Sequence, residues 1–230
     1  HHGVSHRMFS SIKEAGTLAL NRHLIHTSRM MKRGDRITID IPPEKASSRV
    51  AVSNGPLRIL FEDSNWLAIN KPAGLTSVPG PSNRNDTAVN RIKGYLLRSG
   101  SKNLRPHLIT RLDSFTSGVV LVAKHRLANN LANQLRGEHR IKKTYLAVVS
   151  GRLERDHGSI KMPIGKLPNE IRRHRMSNGK PAWTEYWVLR RDPRFTVVRV
   201  RLHTGRTHQI RVHFAEVSHP VVGDHLYGGP

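Results

Sequence analysis

The segment Leu108–Lys124 (LITRLDSFTSGVVLVAK) limits the fold most tightly, because a turn-prone polar stretch carrying one carboxylate, Asp113, runs straight into an apolar run. Val119–Ala123 (VVLVA) is rich in β-branched residues and predicts a buried strand, since such side chains fit a pleated, packed surface. Asp113 then lies on the loop feeding a rigid element, where a reacting group is held still. Taken alone, an Asp beside Ser, Thr and Gly is ordinary turn chemistry, its carboxylate accepting hydrogen bonds from nearby backbone N–H groups. A second segment, Thr204–His213 (TGRTHQIRVH), packs two arginines, two histidines, two threonines and a glutamine into ten residues. That is too many polar donors for a core helix, and it predicts the wall of a site.

The remaining elements follow from periodicity and turn chemistry. Arg58–Asp63 and Trp66–Asn70 read as paired strands joined at Ser64-Asn65, with Lys71-Pro72 ending the second and shaping a loop rather than doing chemistry. Asp86 is expected to cap a helix through Leu97, with Val89, Ile92 and Leu96 on its buried face. A second helix, from about His125 to Leu135, sets Leu127, Leu131 and Leu135 at helical spacing and ends at Gly137. Ala182–Leu189 and Phe195–Leu202 flank the turn Arg190–Arg194 and predict a hairpin. A helix around Thr207–Glu216 turns Ile210 and Phe214 inward and sets His208 and Arg211 on one side. Strands outnumber helices, so the fold class is α+β with a largely antiparallel sheet.

Domain organisation reads as a small basic module over residues 1–42, a linker over 43–56 and a main domain over 57–230. The linker is marked by the stretch Pro42–Pro56 (PPEKASSRVAVSNGP), where prolines, serines and charges displace apolar periodicity. Upstream, Gly16–Asn21 predicts a strand and turn, and Lys32–Asp35 a turn entering the strand Ile37–Ile41.

With 39 Lys+Arg against 16 Asp+Glu the formal charge is +23, which calls for a polyanionic partner and steeply salt-dependent binding. No apolar stretch of about eighteen residues is present to cross a membrane. Cysteine is absent, so disulfides and thiolate metal sites are excluded. Fifteen histidines show no H-E-x-x-H spacing, and most are expected to be solvated or RNA-facing. His1-His2 reads as a tag remnant, and the opening has no hydrophobic signal core, so a cytoplasmic location is expected.

Four ordered motifs carry a resemblance. R-L-D-x-x-T-S-G-x-x-x-x-A-K runs from Arg111 to Lys124 and K-x-Y-x-A-x-V-x-G from Lys143 to Gly151; T-G-R-T-H-Q-I-R-V-H spans Thr204–His213 and G-D-x-x-Y-G spans Gly223–Gly228. With Asn70–Gly74 (NKPAG), these resemble the RluA-type pseudouridine synthases in order and spacing. The residues before Pro42 are similar to the later part of the S-four type RNA-binding module that often precedes such domains, with its first helix cut short. The chain stops at Gly228-Gly229-Pro230, where the resemblance implies a further apolar segment, so a truncated C-terminus is expected. Thr110 stands where many relatives have His, which reads as subfamily variation.

The resemblance implies a mixed sheet with flanking helices, a catalytic cleft across its middle, and isomerisation of uridine in RNA through cleavage of the C1′–N1 bond, rotation of the base and reattachment through C5. The sugar carbon becomes cation-like as the base departs, a demand that glycoside hydrolases meet with a carboxylate. It assigns Asp113 as the single catalytic acid, whether by covalent addition, proton abstraction or charge stabilisation. Tyr145 is expected to stack on the everted base and accept or relay the C5 proton, although its place in a strand also suits a core tyrosine. Arg211 is expected to pair with Asp113, bidentately if the geometry allows, although a helix arginine is more commonly just solvated. Arg111 fills the space the base leaves, at an unstacking cost of a few kcal/mol, and Lys143, Arg206 and His208 contact phosphate or base. No metal or organic cofactor is required, a monomer is expected, and ribosomal RNA is favoured over transfer RNA as substrate. A non-catalytic RNA-binding or ribosome-assembly protein would share the charge without needing Asp113. A methyltransferase would need a G-x-G-x-x-G loop that the sequence lacks, and a glycosidase would release free uracil.

Overall fold

A computed structural model describes residues 6–26, 28–44 and 46–230. The reading of His1-His2 falls outside them. Two compact units divide the chain, one running to Glu138 and the other starting at His139. The division falls inside the stretch 57–230 that the sequence suggests as one domain.

The first unit opens with helix α1 (His6–Ala15) and a three-stranded sheet in the order β2 (His23–Leu24), β1 (Thr17–Leu20), β3 (Ile37–Asp40). Met8 and Ile12 of α1 are buried. Its larger sheet has the order β4 (Arg58–Glu62), β5 (Trp66–Lys71), β7 (Gly118–Ala123), β6 (His107–Leu108). Alternation along β5 buries Leu67, Ile69 and Lys71, and the register pairs Leu67 with Val122 and Ile69 with Val120, all fully buried. The predicted strand Val119–Ala123 is therefore a central one, though Val119 itself faces solvent.

Helix α2 (Ala88–Arg98) is capped by Thr87 rather than Asp86: the Thr87 hydroxyl accepts from Asn90 N, and the Asn90 side chain accepts from Thr87 N. Asp86 instead receives Arg91 through two hydrogen bonds of 2.7 Å, with Ser53 at 2.6 Å. The Arg91 guanidinium, helped by Ser53, holds the Asp86 carboxyl down at about 2. Residues 46–56, read as linker, form no helix or strand but are bonded to α2: Asn90 donates to Ala51 O, Ser53 N to Asn90 O and Arg91 to Pro56 O. Helix α3 (Arg126–Gly137) lies against β7 and buries Ala128 and Ala132, not the leucine stripe, whose Leu131 is exposed. Small side chains face the sheet because they allow a close approach of helix to strand.

The second unit is built on a four-stranded sheet in the order β8 (Lys143–Ser150), β13 (Phe195–Leu202), β12 (Trp183–Arg191), β9 (His157–Lys161). The expected hairpin is β12–β13, with a bulge between Val188 and Arg190. A two-stranded sheet pairs β10 (Ile164–Gly165) with β11 (His174–Arg175), and helix α4 (Gln209–Glu216) is followed by a 3-10 turn at His225–Tyr227. Val149, Ile160, Tyr186, Val198, Val200 and Phe214 of α4 make the core, with Ile210 packed on it. All strand pairings within either unit are antiparallel. Among the described residues no helix is long and apolar enough to cross a membrane.

Candidate active site

Asp113 sits in the loop between β6 and β7, and hydrogen bonds hold the backbone on both sides of it. Ile109 N donates to Leu121 O at 2.8 Å, and Thr110 Oγ1 accepts from Leu121 N at 2.9 Å, so the loop leaves β7 along a fixed path. Thr110 thus earns its place through backbone bonding. Ser77 clamps Leu112, its hydroxyl donating to Leu112 O at 2.6 Å and accepting from Leu112 N at 3.1 Å. Thr116 N donates to Asp113 O at 3.1 Å, closing a turn that begins at the candidate acid itself. Gly118, with φ of +125°, lets the chain re-enter β7 in a conformation that L side chains avoid.

Beneath this turn lies Lys71, which the sequence left as a loop shaper. It is fully buried, and its ammonium donates to the carbonyls of Pro72 (2.8 Å), Leu75 (2.6 Å) and Ser114 (2.9 Å). Gly74 N and the Ser114 hydroxyl add two further bonds between the Asn70–Gly74 motif and the Asp113 turn. Burial pushes the Lys71 ammonium down in pKa while the nearby Asp113 carboxylate opposes that shift. The loop shaping is real, and it acts on the loop of the candidate acid. Arg111, one residue before the Ser77 clamp, projects an exposed side chain from the same loop.

Tyr145 and Arg211 belong to the second unit. Tyr145 is half-buried on β8 opposite Val200 and packs on the core cluster, whereas Leu146 turns to solvent. Arg211 on α4 sends Nε to Asp224 Oδ2 at 2.6 Å and Nη2 to Asp224 Oδ1 at 2.8 Å. Nε and Nη2 of Arg211 thus form a bidentate fork with Asp224 of the G-D-x-x-Y-G motif. Its cationic carbon also lies 4.9 Å from the ring centre of the buried Tyr227. His208, the N-cap of α4 in the left-handed region at φ 57°, brings Nδ1 to 2.9 Å from Tyr227 Oη. His208 and Arg211 therefore converge on one tyrosine, which the sequence did not single out.

Two other candidates share a different spot. Lys143 Nζ donates to Thr204 O at 3.0 Å, and Arg206 Nε to Pro181 O at 3.0 Å, so both brace the turn that enters α4. The rest of T-G-R-T-H-Q-I-R-V-H divides between architecture and chemistry. Gln209 is buried, accepting from Thr204 and Arg206 N and donating to Trp183 O and Thr184 Oγ1. His213 is fully buried between Thr184 Oγ1 (2.9 Å) and Met162 O (3.0 Å). The Met162 carbonyl only accepts, so Nε2 carries the proton. Burial pushes the His213 pKa down. This histidine, at least, is neither solvated nor RNA-facing. Among the described residues no group of three or more His, Cys, Asp or Glu side chains is arranged to hold a metal ion.

The fold and motifs find their match in one class: residues 65–216 fit the RNA pseudouridylate synthase family, and the chain belongs to it as an RNA-modifying isomerase. It is 36% identical over 229 residues to the uncharacterized RNA pseudouridine synthase YjbO of Bacillus subtilis, covering 99% of this chain and 81% of that protein. It is 44% identical over 177 residues to the ribosomal large subunit pseudouridine synthase D of Nitrosomonas europaea, covering 75% of this chain and half of that protein. Among solved structures, Human RNA Pseudouridylate Synthase Domain Containing 1 superposes with a TM-score of 0.62 at 28% identity, over 76% of this chain and 71% of that one.

Proposed function

We propose that this synthase converts specific uridines of ribosomal RNA and that Asp113 is its catalytic acid. The observation that carries the reading is the immobilisation of the Asp113 turn by Lys71, Gly74, Ser77 and Ser114, a pre-organisation that a surface turn has no use for. In the reaction the C1′–N1 bond breaks, the uracil rotates, a C5–C1′ bond forms and the C5 proton passes to N1, so product and substrate are isomers. Asp113 supplies negative charge to the sugar carbon as the base leaves. Tyr145 stacks on the everted base, Arg211 supports the carboxylate from its Asp224 mount, and Arg111 enters the gap left in the RNA. Lys143, Arg206 and His208 contact phosphate or base, and the basic residues before Pro42 add RNA contacts. Ribosomal RNA is favoured because relatives such as that of Nitrosomonas europaea are named for the ribosomal large subunit. The enzyme acts as a cytoplasmic monomer.

The test is Asp113→Asn. Pseudouridine formation, followed by chemical labelling and sequencing of RNA from cells with and without the gene, is expected to vanish in the variant while RNA affinity changes less than about threefold, on the scale of a single exposed charge. Conversion at the wild-type rate would remove Asp113 from the chemistry.

A further inference from the structure

Phe115 stands two residues beyond Asp113, and its side chain is 85% exposed. The other phenylalanines run from the fully buried Phe214 to Phe61 at 54%, so this ring is the outlier. Its position is not that of a floppy loop tip. Thr116 N to Asp113 O closes a turn in which Ser114 and Phe115 are the two central residues. Ser114 is held from below, its carbonyl accepting from Gly74 N at 3.0 Å and from the buried Lys71 ammonium at 2.9 Å. Fixing Ser114 downward leaves its neighbour outward, and the ring is displayed on a rigid mount. Turn geometry keeps the ends of such a four-residue unit within about 7 Å, roughly two base-stacking steps of about 3.4 Å.

An apolar ring displayed this close to a carboxylate has one natural complement in an enzyme that acts on RNA: the flat face of a nucleobase. We propose that Phe115 is a base-stacking contact that binds the nucleotide flanking the target uridine and caps the RNA stack interrupted by eversion. This rests on the reading of Asp113 as the acid that acts on that uridine. The exposed guanidinium of Arg111 lies on the other side of Asp113 in sequence, so the loop carries a cation for phosphate or for the vacated space and an aromatic ring for the neighbouring base. The ring thereby contributes to which uridines are accepted, favouring sites whose flanking base is free to unstack from its partner.

A double-mutant cycle tests the proposal. Phe115→Ala is combined with a substrate RNA whose flanking nucleotide is abasic, and affinity is read by fluorescence anisotropy with the Asp113→Asn protein so that no turnover intervenes. Phe115→Ala is expected to weaken binding of intact RNA about tenfold, the alanine-scan scale of one stacked base. The same substitution should have no further effect on the abasic RNA, and Phe115→Trp should restore binding where Phe115→Leu does not. Equal losses on intact and abasic RNA, or full rescue by leucine, would overturn it. The catalytic reading fails separately, through persistent conversion by Asp113→Asn, and the binding cycle reports on Phe115 in either case.

Discussion

Lys71 puts a positive charge where water does not reach, and three carbonyl oxygens repay the lost hydration. Because one of those carbonyls lies in its own motif, one just beyond it at Leu75 and the third in the Asp113 turn, the side chain works as a bolt between separate loops. Lys71→Met keeps the stem and removes the bolt. It is expected to destabilise the protein by about 1–3 kcal/mol, the cost of buried acceptors left without a donor, and to lower kcat at least tenfold through the loosened acid with KM little changed. Thermal unfolding and single-turnover conversion check this; a loss of stability with kcat intact would reduce Lys71 to packing. The motif marked Asp113 as the candidate acid, but sequence did not show the bolt, since nothing in N-K-P-A-G says where an ammonium will find its acceptors. Arg211 shows the same limit. Its motif marked it, but its fork with Asp224 joins residues thirteen positions apart through the fold.

At the scale of elements, strands were easier to read than helix faces. A β-branched apolar run located β7, and turn signals between apolar segments set off β5 and the β12–β13 hairpin. In α3 both a leucine and an alanine stripe recur at helical spacing, and contact with β7 selected the alanines, Ala128 and Ala132. At the start of α2 Asp86 was the expected cap, and the capping box with Asn90 uses Thr87 instead. Thr87→Ala is expected to cost about 1 kcal/mol and Asp86→Asn less at neutral pH. The Asp86 contribution, with its folded value near 2 against an unfolded value of 3.8, is present above the unfolded value and disappears as pH falls through about 2. Denaturant titrations at neutral pH and in acid separate the two: a larger neutral-pH loss for Asp86→Asn would restore Asp86 as the principal anchor of the helix start.

For the molecule as a whole, the dominant quantity is the +23 formal charge. RNA binding should weaken with salt along a slope of about −0.7 to −0.9 per phosphate neutralised, so six contacts would cost about a thousandfold between 50 and 200 mM salt. Filter binding over that range tests it, and a slope flatter than about −2 would mean that the basic surface is not facing RNA. Composition carried this much, and the motif order carried the family. The break at Glu138–His139 was not legible, because helical and strand patterns continue on both sides of it without a linker composition to mark the change.

The fork between Arg211 and Asp224 also bears on how such an enzyme can be rebuilt. The segment from Thr204 to His213 is not a portable cassette: grafted without Asp224 and Tyr227 it would bring along the arginine but not its aim. Swaps between relatives should therefore exchange everything from Thr204 through Gly228 as one piece.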